Sequence, residues 1–276
     1  MKVCLDSLVQ QTFKNFEVII CDNGSTDHTK DVVDLYLNNL NIQYYLLEPS
    51  GGPGQPRNIG IQKASADWIC LLDSDDWWAP NKLEVIRSRL QESDFIYHSV
   101  YVSDGISYGK KIGSKLKTND WREFIYLGNP IACSSVAFRS SFIQKIGLHD
   151  ESPELKYILD FEYWIRFLKG SSRVCFIDIP LAYYYVSPGN NLSGNEIKNF
   201  ESHQYLYRKY ENEIHDLQIQ NKIKASLNYR QIRAYVKTHS SEFIPTDILF
   251  TILYLEGLKL KINYIIYLIR FRFKIF

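Results

Sequence analysis

Apolar residues in this chain come in two textures. Short, mostly apolar runs at residues 16–21, 42–47 and 68–72 have the length of strands, and the uninterrupted run 68–72 reads as buried on both faces. Between them apolar positions recur at helical spacing. Val32, Val33, Leu35, Tyr36 and Leu37 predict a helix over residues 28–39, and residues 58–66 predict another. Val3, Leu5, Leu8, Val9 and Phe13 predict a helix that starts almost at Met1. Polar loops follow the three strands: DNGSTD at 22–27, EPSGGPGQPR at 48–57 and DSDD at 73–76. This β-α-β-α-β order predicts an α/β fold with a mostly parallel central sheet and helices on both faces. In such sheets ligands bind outside the carboxyl ends of the strands, where these loops open.

Past residue 84 the pattern continues more loosely. Strands are predicted at 95–102, 131–138 and 174–186, with a surface hairpin or loop over 103–118. Helices are predicted at 121–127 and 139–146, the second with Gly147 at its C′ position. Residues 194–239 read as polar helices. The chain therefore divides into an α/β region, 1–193, and a helical C-terminal region, 194–276.

The last stretch, 248–276, alternates short apolar runs with Lys259, Lys261, Arg270, Arg272 and Lys274, against Glu256 alone. The runs are too short to span a membrane. Such a segment suits a helix lying in a membrane interface, or a helix pair packed on its own domain or on a partner subunit.

Composition changes this picture little. The 276 residues are 45% hydrophobic and 23% charged, as in an ordinary globular protein. A net charge of +1 gives no case for nucleic-acid binding. The five cysteines are widely spaced with no C-x-x-C pair, so neither zinc nor a disulfide framework is indicated. Cys21 and Cys70 fall in apolar strands and read as inert core thiols. Residues 1–13 lack the apolar core of a signal peptide, and a reducing, cytoplasmic location is expected.

Candidate chemistry concentrates at Asp73-Ser74-Asp75-Asp76. Three carboxylates at the end of a buried strand are costly unless something positive meets them. A hard divalent cation sharing its shell with substrate phosphates would do so. If the segment is extended, Asp73 and Asp75 share one side. A bare D-x-D is more commonly a solvated acidic turn before a helix, but the apolar run before it and Trp77-Trp78 after it favour a site. At residues 159–166, LDFEYWIR, Asp160 and Glu162 face different directions on a helix and are not a pair. By themselves they read as acids favourable to a helix N-terminus. His149-Asp150-Glu151 reads as a solvated turn rather than a metal site. No G-x-G-x-x-G follows a strand and no G-x-x-x-x-G-K-[ST] occurs.

Three segments, "CLDSLVQQTFKNFEVIICDNGSTD", "GGPGQPRNIGI" and "WICLLDSDDWWAPNKLE", agree in order and spacing with one family. They resemble the family 2 glycosyltransferases of GT-A fold, over roughly residues 1–193. The resemblance implies an inverting enzyme that moves a sugar from a nucleotide-diphosphate donor to a hydroxyl acceptor, a glycan or lipid-linked glycan. It implies Asp73 at the sugar nucleotide, Asp75 on a divalent cation (Mg or Mn), Asp22 and Asn23 at the base, and Arg57 near the nucleotide. It also implies that Asp160, matching the second acid of the family's E-D-Y-D-x-W segment, is the general base. A place in bacterial surface polysaccharide or lipopolysaccharide assembly, at the inner face of the plasma membrane, follows from the family and the basic apolar tail.

Departures from the pattern motivate an alternative, a catalytically weakened or inactive sugar-nucleotide-binding protein. Asn23 stands where the family has an aspartate. Leu159 replaces the glutamate before the base. Tyr185-Val186-Ser187 replaces a Y-R-x-H segment, so no third protein ligand for the metal is implied. Met1 falls inside the first helix, where the family has a preceding strand.

Overall fold

The computed structural model describes residues 1–105, 107–118, 120–171, 173–186, 195–237, 251, 253–255 and 258–273. In chain order its elements are α1 (Lys2–Val9), β1 (Val18–Asp22), α2 (Thr29–Asp34), β2 (Ile42–Leu46), α3 (Gly54–Lys63), β3 (Trp68–Cys70), β4 (Trp77–Trp78), α4 (Lys82–Arg87), β5 (Phe95–Ser103), β6 (Tyr108–Ile112), α5 (Trp121–Leu127), β7 (Ala137–Arg139), α6 (Ile143–Ile146), α7 (Leu159–Gly170), β8 (Val174–Tyr185), α8 (Glu196–Tyr210), α9 (Leu217–Lys237) and α10 (Leu258–Phe273).

The chain forms two compact units: residues 1–119, 130–153 and 159–188, and residues 120–129, 154–158 and 189–276. The boundary expected between 193 and 194 lies outside the described residues.

In the first unit β1 and β2 pair in parallel, Val18 opposite Ile42 through Asp22 opposite Leu46. A second sheet runs β3-β7-β5-β8-β4, with β6 also on β5. Strand β8 lies parallel to β5, whereas β7 and β6 lie antiparallel to it, β7 at Phe95–Ile96 and β6 beyond Val100. Strand β3 pairs antiparallel with β7, and β4 antiparallel with β8. The α/β class holds, but the sheet is mixed rather than mostly parallel. An apolar run reports a strand that faces apolar neighbours, and strands of either direction do so; β1, β2 and β3 are edge strands and mostly half-buried. The direction of β3 and β4 depends on a chain reversal after β3 and on partners, β7 and β8, more than sixty residues away.

Local boundaries also moved. The segment Trp77–Trp78, which follows the acidic run, is the edge strand β4. Helix α3 starts at Gly54, inside the stretch expected as loop. Its Pro56 sits in the first turn, where no backbone N–H is needed. The strand expected at 131–138 is a 3-10 turn, Cys133–Ser135, followed by the short β7. Gly147 closes α6 with φ 76°, as its C′ position predicts.

Leu5 and Leu8 of α1 pack with Val33, Tyr36, Trp78, Val100 and Ala182 in one core cluster. Beneath α7 an aromatic cluster joins Phe95, Phe138, Tyr163, Trp164 and Phe167, with ring centroids 5.0–6.3 Å apart. On the opposite side of β4 from Trp78, Trp77 stacks on Tyr183 of β8 at 5.3 Å. These cross-strand rings hold the short β4 in register.

In the second unit α9 packs on α8, α5 and α10. Its apolar core holds Ala225, Ile232, Val236, Leu255 and Tyr264. Among the described residues no helix is long and apolar enough to cross a membrane. Helix α10 buries Tyr264 and leaves Ile262, Ile265 and Ile266 exposed.

Candidate active site

The expected site residues all lie in the first unit. Asp22 ends β1, Arg57 lies in the first turn of α3, Asp73 and Asp75 follow β3, and Asp160 lies in the first turn of α7.

Residues 73–76 form a tight turn, with the Asp76 N–H donating to the Asp73 carbonyl at 3.0 Å. The extended alternation expected for Asp73 and Asp75 is therefore replaced by a turn, because the chain must reverse to pair β4 with β8. Arg57 Nη2 donates to Asp73 Oδ1 at 2.7 Å. Burial works against the Arg57 charge, and the Asp73 carboxylate outweighs it, holding the guanidinium charged.

Asp160 is half-buried and accepts from the Phe161 N–H at 2.8 Å. Burial pushes its carboxyl up, Asp73 adds to this, and Arg57 acts against it. Asp75 is exposed, and partial desolvation and then Asp73 raise its carboxyl. Arg57, Asp73, Asp75 and Asp160 thus form one electrostatically linked group.

Asp22 and Asn23 form a neighbouring group built on the loop after β2. The buried Asp22 accepts from the Ser25 N–H at 2.8 Å and from the Tyr44 hydroxyl. Burial raises its carboxyl, but these bonds prevail and hold it below its ordinary value. Asn23 Oδ1 accepts from Ser50 N and Oγ at 2.8 and 2.9 Å, and its Nδ2 donates to the Ser50 carbonyl at 3.1 Å. Its amide therefore clamps the glycine-rich loop that leads into α3 and Arg57. Gly24 has φ 79°, and a Cβ there would sit 2.4 Å from Pro49 Cγ, so only glycine allows this approach.

Several residues that hold the site escaped sequence reasoning. Ser134 Oγ donates to Asp76 Oδ2 at 2.5 Å and accepts from the Asp73 N–H at 3.0 Å. The Ser134 carbonyl accepts from Trp78 Nε1 at 3.0 Å and Lys82 Nζ at 2.8 Å. Asp76 Oδ1 accepts from the Tyr185 N–H at 2.8 Å. Asp76 is the third acid of the run, yet it is buried and knits the turn to β8. Burial pushes its carboxyl up to about 7. Lys82 is fully buried with its ammonium 3.6 Å from the Trp78 ring centroid, and burial pulls it down to about 7. Its place in "NKLE" reads as a surface helix start, and no local signal marks it as buried.

Asn58 brackets the His149 backbone, donating to its carbonyl at 2.9 Å and accepting from its N–H at 2.7 Å. His149, expected in a solvated turn, is buried against Tyr163 with ring centroids 3.8 Å apart. Neither of its ring nitrogens has a partner among the described residues, and burial, then Arg57 and Arg166, hold it neutral. Glu162 is buried and pairs with Arg166 at 2.8 Å, away from any role beside Asp160. Cys133 lies buried among these charges, and desolvation raises its thiol far out of the reactive range. Ser187 lies outside the described residues.

Metal ligation by the protein alone is limited. Among the described residues no three His, Cys, Asp or Glu side chains are grouped to hold an ion. Two carboxylates on one turn, Asp73 already met by Arg57 and Asp75 open to solvent, fit an ion whose shell is completed by phosphate oxygens.

Residues 1–146 match the model of glycosyl transferase family 2, and the chain belongs to that family. An uncharacterised glycosyltransferase of Rickettsia prowazekii is 33% identical over 187 residues, 62% of this chain and 55% of that protein. The chain thus spans about half the length of that relative. The crystal structure of Staphylococcus aureus TarS 1–349 in complex with UDP-GlcNAc superposes with a TM-score of 0.67 at 20% identity, covering 98% of this chain and 87% of the other. The mannosyltransferase PcManGT of Pyrobaculum calidifontis, in complex with GDP-Man and Mn2+, superposes with a TM-score of 0.57 at 12% identity, covering 99% and 83%. The fold is that of the GT-A glycosyltransferases.

Proposed function

We propose that this family 2 glycosyltransferase is an inverting, metal-dependent enzyme. It takes a nucleotide-diphosphate sugar as donor and a hydroxyl of a glycan or lipid-linked glycan as acceptor. The observation that carries this reading is the linkage of Arg57, Asp73, Asp75 and Asp160 at the loop edge of the first unit. Relatives in complex with UDP-GlcNAc, or with GDP-Man and Mn2+, support the donor class. TarS is named as a poly(ribitol-phosphate) β-N-acetylglucosaminyltransferase, which supports a surface-polymer acceptor.

Asp75, with Asp73, would hold a divalent cation against the donor diphosphate. That ion would supply Lewis-acid stabilisation of the leaving group. Arg57 fixes the Asp73 carboxylate and places a positive charge beside the phosphates. Asp22 and the Asn23-clamped loop would bound the nucleoside end. Asp160 takes the acceptor proton at its carboxylate. Burial raises its carboxyl above the ordinary aspartate range, which strengthens it as a base. The acceptor oxygen then attacks the anomeric carbon from the face opposite the leaving diphosphate, which inverts that centre.

Asn23 supports the second reading, a weakened or inactive binding protein, because its amide oxygen is already taken by Ser50. The exposed Ile262, Ile265 and Ile266 of α10, in a tail rich in basic residues, support peripheral contact with the cytoplasmic face of a membrane. Release of nucleoside diphosphate from a panel of UDP- and GDP-sugars, with Mn2+, Mg2+ or chelator, tests the enzyme reading. Metal-stimulated turnover is expected. Tight donor binding without release under any metal would favour the inactive binder.

A further inference from the structure

The second unit contains a polar cavity of about 210 Å³ lined by Glu196, Asn199, Arg230 and Arg233. Glu196 and Asn199 come from the first turn of α8, whose positive dipole end faces this space. Arg230 and Arg233 lie three residues apart on α9 and so share one face.

The charges here are unequally matched. Glu196 is mostly buried and already accepts from Arg233 Nη2 at 2.8 Å and Lys237 Nζ at 2.5 Å. Arg230 is partly buried and makes no hydrogen bond or ion pair with any described residue, although it lines the cavity. Burial first, and then the like charge of Arg233, pull its guanidinium down to about 10, so it remains charged at neutral pH. A desolvated cation with no ion-pair partner among the described residues is costly, and Arg230, Arg233 and Lys237 against the single Glu196 carboxylate leave net positive charge around the space.

We propose that this cavity is an anion site for a phosphate group, with Arg230 as its principal ligand. The guanidinium offers a planar fork of donors that matches phosphate oxygens. Arg233 from α9 and the Asn199 amide from α8 also line the cavity and complete the shell. Glu196 keeps Arg233 oriented and weakens the site through its own charge. A free phosphate and a phosphodiester present the same anionic oxygens to these donors, and two probes separate them.

The test is calorimetric titration of the full chain with inorganic phosphate and, separately, dimethyl phosphate, with ionic strength matched by chloride. Saturable binding of one or both is expected. Arg230→Gln should weaken it at least tenfold, and Glu196→Gln should strengthen it. Arg57→Met, at the donor site of the first unit, should leave it unchanged. No saturable binding to the unmodified protein overturns the proposal. So does binding that survives Arg230→Gln and disappears in Arg57→Met, which would place the phosphate at the donor site. Should Arg230→Gln fail to fold, the other two variants decide. Tightening in Glu196→Gln with retention in Arg57→Met upholds the site, and any other pattern overturns it.

Discussion

Arg57 Nη2 lies 2.7 Å from Asp73 Oδ1, and its charge is the main influence that opposes the burial-driven rise of the Asp160 carboxyl. The first turn of α3 thereby controls the ionisation of a residue more than one hundred positions away. Removing the cation as Arg57→Met should let the Asp160 carboxyl rise further. The acid limb of kcat/KM should then shift to higher pH, because the base stays protonated over a wider range. Donor affinity should fall about tenfold or more. A pH–rate profile with an unmoved acid limb would show that Arg57 and Asp160 are not coupled during turnover.

Asp75 and Asp160 should fail in different ways. Asp160→Asn should keep donor affinity and lower kcat about 10²-fold or more, the typical share of a positioned base. Asp75→Asn should instead abolish the metal dependence of donor binding. Single-turnover kinetics beside donor titrations separate the two, and identical behaviour of the pair would remove both roles.

Ser134 holds the acidic turn through its hydroxyl. In Ser134→Ala the Asp73 N–H and Asp76 Oδ2 lose that partner, which should cost roughly 1–3 kcal/mol of stability. The Trp78 and Lys82 bonds go to the Ser134 backbone and should survive. Urea denaturation measures the loss, and an accompanying rise in the metal concentration for half-activity would trace it to Asp73 and Asp75.

Asp76 makes stability depend on pH. Its carboxyl is raised from 3.8 to about 7, so between these values the native state holds a proton that the unfolded state has released. Stability from this group is therefore full below pH 3.8 and is lost as pH rises toward 7. Thermal melts of the protein and of Asp76→Asn should diverge across that window, with the unmodified protein losing ground as pH rises. Parallel curves would mean that Asp76 is ionised throughout.

The C-terminal tail makes the fifth prediction. Each basic residue near an anionic leaflet contributes roughly 1 kcal/mol, and the exposed isoleucines of α10 add apolar burial. Sedimentation with anionic vesicles should carry the protein down, less so as salt rises. Deleting 248–276 should abolish this and leave donor binding intact. A truncated protein that aggregates or melts early, with no vesicle binding before truncation, would assign these residues to packing alone.

The chain by itself determined the elements and the places where chemistry gathers. Apolar runs at 16–21, 42–47 and 68–72 each contain or overlap a strand; Asp22 ends β1, Asp73 follows β3 and Asp160 opens α7, whereas Arg57, expected in a loop, lies in the first turn of α3. These features are local, since periodicity and turn residues act over a few positions. Tertiary structure decided what periodicity cannot carry. It set the antiparallel direction of β3 and β4, the closing of 73–76 into a turn, and the engagement of the Asn23 amide by Ser50. It also buried Asp76, Lys82 and His149, all polar in a sequence reading. Their burial depends on Ser134, Trp78 and Tyr163, which come from other elements, and a polar side chain enters a core only where distant groups meet its hydrogen bonds or its charge is lost.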